Sequence, residues 1–283
     1  MKRHIAILLA VLMLVVMIGC QSNKTDMTQT SVQASNEAYG EGENVTVLDD
    51  SKCRITIIGM ETDPYFGNTV KVMLENKTIA QTLNFIVPQS SVNGIEWNTV
   101  FAKEVPPLSK KTENIQFVGS LADEITEYTA FELVFKVTDA DYKELSLVPF
   151  RYYPNGKDNA KAYTRQTQPS DVVIRDNDIL RLTVIGYDVD DVWGGGVNLF
   201  MENKSDDAFM IGVTGVLVNG HPCDPFWATT VRGKTAAYKN IYFLSDDFTQ
   251  FGITEMESIE MTFHVYNSET NALLCEWTVT LNP

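Results

Sequence analysis

Downstream of residue 44, apolar residues fall on every second position in short runs. Cys53, Ile55 and Ile57 alternate with Arg54 and Thr56, and Phe131, Leu133, Phe135 and Val137 alternate with Glu132, Val134 and Lys136. Successive side chains of a strand point to opposite faces, so a period of two marks strands with one face in a core. Turn signals separate the runs: Gly67-Asn68, Asn93-Gly94, Pro106-Pro107, Gly194-Gly195-Gly196 and Asn219-Gly220. Two stretches, Ser120–Glu124 and Ser245–Phe248, read as single helical turns, each with a capping Ser before acidic first-turn residues. Many short strands in about 110 residues predict an all-β chain of antiparallel sandwiches.

The runs also occur twice. Val70–Thr78, ending Leu-Glu-Asn-Lys-Thr, is echoed by Val197–Ser205, ending Met-Glu-Asn-Lys-Ser. In the same order, Cys53–Gly59 matches Leu180–Gly186, and Val92-Asn93-Gly94 matches Val218-Asn219-Gly220. Phe131–Val137 then matches Ile259–Val265. One domain used twice accounts for this, as residues 44–150 and 171–283. Between them, residues 151–170 are polar and carry Arg151, Lys157, Lys161 and Arg165 against Asp158. They read as a linker that permits relative motion of the repeats.

Ahead of the repeats, Met1-Lys2-Arg3-His4 precedes an apolar run of fourteen residues, Ile5–Ile18. That is short of the roughly 20 residues a membrane span needs and suits a secretory signal. The run ends in Val16-Met17-Ile18-Gly19-Cys20. This resembles a bacterial lipobox, departing from it at Met17 and Ile18, and the resemblance implies cleavage after residue 19 and diacylation of Cys20. Two acyl chains would hold the chain stably to a bilayer. Residues 20–43 are Ser, Asn, Thr, Gln, Gly and Glu with few apolar positions, and predict a disordered tether.

Charge narrows the partners. The net charge is -15, and residues 171–283 alone carry seventeen acidic side chains against six basic ones. Such a surface opposes nucleic acid and anionic headgroups. Apart from Cys20 there are three cysteines. Cys53 and Cys275 stand at inward positions and read as small buried hydrophobes, and a Cys223–Cys275 bridge is the one pairing left open.

Enzyme signatures are missing: no Gly-x-Ser-x-Gly, Cys-x-x-Cys, His-Glu-x-x-His, phosphate-binding glycine loop or EF-hand spacing occurs. No catalytic residue, cofactor or metal site is predicted. His264 stands at an outward strand position, and His221-Pro222-Cys223-Asp224-Pro225 is too short and rigid to converge metal ligands. Two matched loops carry acid, aromatic and glycine in that order. They are Asp188–Gly196, with Asp190, Asp191 and Trp193, and Asp63–Gly67, with Tyr65 and Phe66. An aromatic plug for the end of each sandwich explains the repetition most simply. Ligand contact by Trp193, Asp190, Asp191, Tyr65 and Phe66 is the functional alternative. Trp97, Phe101, Phe226 and Trp227 follow the Asn-Gly turns, and core packing is the expectation for them. If Trp227 and its neighbours were exposed, they would mark a binding face.

The paired Glu-Asn-Lys-Thr/Ser segments, the Val-Asn-Gly turns and the aromatic-Ala that follows them resemble immunoglobulin-like domains of lipoproteins from Gram-positive bacteria. The resemblance covers both repeats, and the disulfide of antibody domains is absent. It implies tandem immunoglobulin-like sandwiches outside the cell membrane, and no chemistry. The function expected is a non-catalytic binding, adhesion or assembly module, anchored by lipid on Cys20, with a protein or glycan partner. The alternatives are a carbohydrate-binding module using the Trp193 loop and an enzyme with an unrecognised site.

Overall fold

A computed structural model describes residues 38–118, 125–190 and 194–283, the side chains of 189 and 190 excepted. The signal, Cys20 and most of the tether lie outside these residues, as do the Ser120–Glu124 turn, Asp191 and Trp193. The chain is all-β. Repeat one contributes β1 (Tyr39–Glu41), β2 (Val45–Asp49), β3 (Cys53–Asp63), β4 (Gly67–Asn76), β5 (Leu83–Val92), β6 (Ile95–Glu96), β7 (Asn98–Val100), β8 (Ala102–Val105), β9 (Ser109–Val118), β10 (Phe131–Thr138) and β11 (Glu144–Tyr153). Repeat two contributes β12 (Val172–Asp176), β13 (Leu180–Asp190), β14 (Gly194–Asn203), β15 (Phe209–Val218), β16 (His221–Pro222), β17 (Ala228–Val231), β18 (Ala236–Phe243), α1 (Ser245–Phe251), β19 (Ile259–Asn267) and β20 (Leu273–Leu281).

In repeat one, the sheet β2-β3-β4-β9-β7 faces β11-β10-β5. In repeat two, β12-β13-β14-β18 faces β15-β19-β20. If β3, β4, β5, β9, β10 and β11 are lettered A, B, C, E, F and G, with β7 in the place of D, this is the A-B-E-D and C-F-G order of an immunoglobulin constant-type sandwich. The alternation accounts for it: Ile55, Ile57, Val70, Val72, Leu133 and Phe135 in one core, and Leu182, Leu199, Ile211 and Phe263 in the other, are at most 1% exposed. Each such side chain contributes about 1.5–3 kcal/mol by leaving water. The two Asn-Gly turns are two-residue hairpins. Asn93 and Asn219 have φ of 53° and 51°, and the glycines after them 82° and 81°, as a type I′ turn requires.

The echoed Glu-Asn-Lys-Thr/Ser segment is a structural pin. Asn76 and Asn203 end β4 and β14 and are 1% and 3% exposed. Asn76 Nδ2 donates to the carbonyls of Gln81 (2.7 Å) and Val105 (2.8 Å), while its Oδ1 accepts from Thr78 N–H (2.9 Å) and Oγ1 (2.7 Å). Asn203 repeats every bond, to Asp207 O (2.8 Å), Val231 O (3.0 Å), Ser205 N–H (2.9 Å) and Ser205 Oγ (2.7 Å). The following lysines, Lys77 and Lys204, pair with Asp49 and Asp176.

Several expectations are corrected. The tether does not extend to residue 43: β1 pairs in parallel with β11, Tyr39 opposite Arg151, and Tyr152 Oη donates to Gly42 O (2.9 Å). Ser245 does not cap α1. Leu244 is the cap residue and offers no side-chain bond, because the chain leaves β18 directly into the helix. Cys53, Cys223 and Cys275 are all free thiols, so no Cys223–Cys275 bridge exists. Cys53 and Cys223 are fully buried, and burial pushes the Cys53 thiol up to about 12.

The linker is tied to both repeats. β11 runs on to Tyr153. Beyond it, Lys161 N–H donates to Thr129 Oγ1 (2.9 Å) and Tyr163 N–H to Asn93 O (2.8 Å). Arg165 then forks onto Asp171 with bonds of 2.6 and 2.9 Å, and the Asp171 side chain is 1% exposed. That guanidinium holds the Asp171 carboxyl below the usual carboxylate range. Its other face lies 5.7 Å from the Phe200 ring.

Candidate functional site

The seam between the repeats is built by one hairpin. The β5–β6 hairpin of repeat one reaches the edge of β18, where Ala236 N–H donates to Gly94 O (2.9 Å) and β6 runs parallel to β18. This joins the β11-β10-β5 sheet of repeat one to the β18-β14-β13-β12 sheet of repeat two. Phe200 of β14 crosses the seam and packs, 7% exposed, into the core of repeat one. Tyr238 packs against it at a tilt, ring centroids 5.0 Å apart, and shares a 2.7 Å hydrogen bond between hydroxyls with Tyr163.

A groove lies beside this contact. In repeat one, β7 covers the end of β9 through pairs such as Thr99 with Phe117. Its counterpart in repeat two, around Asp224-Pro225-Phe226, forms no strand, since Pro225 has no N–H to give. The end of β18 is therefore left without that cover. Pro88, Gln89, Ser90, Trp97, Asn98 and Thr99 of repeat one face Thr230, Arg232 and Lys239 of repeat two across a cavity of about 310 Å³, with Glu96 at its base.

The charges in the groove are loosely satisfied. Glu96 Oε1 accepts from Arg232 N–H (2.8 Å). The Arg232 guanidinium approaches Glu96 only to 3.8 Å and Glu132 to 3.6 Å, and its Nη2 is buried without a hydrogen-bond partner. Lys239 Nζ stands 3.4 Å from Glu96 Oε2. Glu132 is shared with Arg151 at 3.1 Å. Three cations thus meet two carboxylates on a chain of net charge -15.

Of the described residues singled out from sequence, only Trp97 lines this groove. Tyr65 and Phe66 cap the β3–β4 hairpin, 90% and 40% exposed, with Asp63 Oδ1 accepting both backbone N–H groups. Tyr65 is therefore a projecting residue and not a plug. The matched loop of repeat two cannot be compared, because Asp191, Trp193 and the Asp190 side chain lie outside the described residues. The aromatics after the Asn-Gly turns pack inward as expected, with one exception, and form no patch. Trp97 and Phe101 are 5% and 4% exposed, and Trp227 is half-buried against the second core. Phe226 alone projects, 92% exposed at a φ of 50°. His264 is outward but engaged, 2.9 Å from Glu276 and 2.6 Å from Thr214 Oγ1. Among the described residues no group of three or more His, Cys, Asp or Glu converges on a metal position. Sequence reasoning missed the groove residues Glu96, Arg232 and Lys239. A signal was present: these positions differ between the repeats, where Pro222, Pro106 and Glu113 are the counterparts.

Neither a protein-family model nor a curated protein matches the chain. Solved structures give distant likenesses. The periplasmic chaperone SfaE shares 12% identity at a TM-score of 0.21 over 74% of this chain and 88% of its own. The Salmonella enterica SafA pilin in complex with the SafB chaperone gives 11% and 0.21, over 75% and 89%. Red sea bream transglutaminase gives 12% and 0.22, over 83% of this chain and 31% of its own. Scores this low assign no function to the chain.

Proposed function

We propose that the chain is a non-catalytic binding module of the bacterial cell envelope, held at the outer face of the membrane by lipid on Cys20. The observation carrying the binding role is the groove at the seam. The residues common to both repeats are spent on scaffolding: asparagine pins, Asn-Gly turns and alternating cores. Glu96, Arg232 and Lys239, which the repeats do not share, line the groove, where Arg232 lacks a full set of partners. A photo-crosslinking amino acid at Asn98 or Thr230, in living cells, should trap the same adduct. The same probe at exposed Glu269 should not. No adduct, or the same adducts from all three positions, would refute groove binding. Anchoring is tested separately: Cys20→Ser should move the chain out of the membrane fraction, and full retention would count against it.

A second reading, glycan binding through the Asp63–Gly67 and Asp188–Gly196 loops, draws on the 90% exposure of Tyr65. Glycan-array binding lost in Trp193→Ala or Tyr65→Ala would favour it over the groove.

A further inference from the structure

We infer that the groove takes an acidic saccharide, its carboxylate set against Arg232 and Lys239 and its hydroxyls against the amides of Gln89 and Asn98. This rests on the binding-module reading and names the ligand class for the same groove. The charge argument comes first. A guanidinium in a stable resting arrangement normally forks onto a carboxylate with short bonds, as Arg165 does on Asp171. Arg232 instead keeps both carboxylates at 3.6–3.8 Å and leaves a buried Nη2 donor unused. An unused donor of this kind is costly in a folded protein, and a bound anion would satisfy it after a small rotation of the side chain. Lys239 supplies a second cation. Glu96 and Glu132 offset two of the three cations Arg151, Arg232 and Lys239, which leaves one net positive charge for a ligand.

The rest of the lining selects among anions. Gln89 and Asn98 are exposed, and each amide offers a donor and an acceptor side by side, which suits neighbouring hydroxyls. Thr230 adds an exposed hydroxyl from the other repeat, and Ser90 and Thr99 keep acceptor lone pairs although their protons go to Trp97 O and Val87 O. A bare inorganic anion would use the cations alone and leave these groups facing water. The cavity of about 310 Å³ is at the small end of the range that small-molecule pockets span, which suits a short sugar and not a polymer buried along its length. Its position across the seam means both repeats contribute contacts.

The test is isothermal titration of the full chain in detergent with D-glucuronate, D-glucose and sulfate. Glucuronate should bind saturably. Lys239→Gln and Asn98→Ala should each weaken it about tenfold, and glucose and sulfate should bind at least tenfold more weakly. No saturable glucuronate binding overturns the inference. So does affinity unchanged in both variants, or glucose or sulfate binding as tightly as glucuronate. Asn98 lies outside the ion network, so its variant keeps the test readable if Lys239→Gln also lowers the melting temperature. Crosslinking from Asn98 reads the binding role without assuming any ligand chemistry. An adduct there without glucuronate affinity overturns the acidic saccharide alone.

Discussion

Asn203→Ala is the sharpest test of the pin that ends β14. The substitution removes four hydrogen bonds at once from a side chain 3% exposed. The bond to Val231 O is buried on both sides, and an orphaned buried acceptor costs about 2 kcal/mol. The bonds to Asp207 O and to Ser205 involve groups that can turn to water, at about 0.5 kcal/mol each. The loss should therefore be about 3–4 kcal/mol, or roughly 10 °C in melting temperature for a chain this size. Asn76→Ala removes the same set of bonds and should cost the same within about 1 kcal/mol. The pins serve different cores, so the double variant should be additive within about 0.5 kcal/mol. Lys204→Met is the control. Its ion pair with Asp176 is about two-fifths exposed on both sides, and such pairs contribute under about 1 kcal/mol. Urea unfolding followed by circular dichroism measures all four. If Asn203→Ala costs no more than Lys204→Met, the asparagine is a bystander and the repeated segment needs another explanation.

Two further outcomes follow from the same fold. Asp49 accepts from Arg54 at 2.5 Å and from Lys77, which hold its carboxyl down from 3.8 to about 2. A carboxyl depressed in the folded state adds stability that is complete above the unfolded value and is lost as pH falls through the folded one. Melting temperature should therefore drop between about pH 4 and pH 2, and Asp49→Asn should flatten part of that drop; an unchanged profile would refute the assignment. Phe200→Ala should cost about 3 kcal/mol by emptying its place in the core of repeat one. Because the linker is tied down at the same seam, trypsin should then cut at Lys157, Lys161 or Arg165 faster than in the parent; equal rates would mean Phe200 does not hold the seam.

Much of this fold is legible in the residues, because alternation and Asn-Gly turns act over a few positions. Cys53–Ile57 and Phe131–Val137 alternate and lie in strands with their apolar faces inward. What escaped depends on distant meetings. Tyr39-Gly40-Glu41 has too few residues to show a period, and it is a strand only because β11 lies beside it. Tyr163 and Arg165 sit in a polar stretch that reads as a spacer, yet their partners Tyr238 and Phe200 come from repeat two. The groove joins residues near 96 to residues near 235, a separation no local pattern encodes. The asparagine of the echoed segment was visible as a repetition, but its role depends on carbonyls brought in by β8 and β17.

The hairpin that meets β18 gives the molecule a direction. Gly94 and Ile95 are synthesised far ahead of Ala236, so the first half can stand finished as a template on which the second half completes itself. The reverse encounter lacks the same residues. The later hairpin carries Pro222 where the earlier one carries Glu96, and the earlier receiving edge offers Pro106 and Lys110 in place of Arg232 and Ala236. Duplicated halves share a core pattern, yet the knob of the first and the socket of the second have no copies in the other half, so this join is made in one direction.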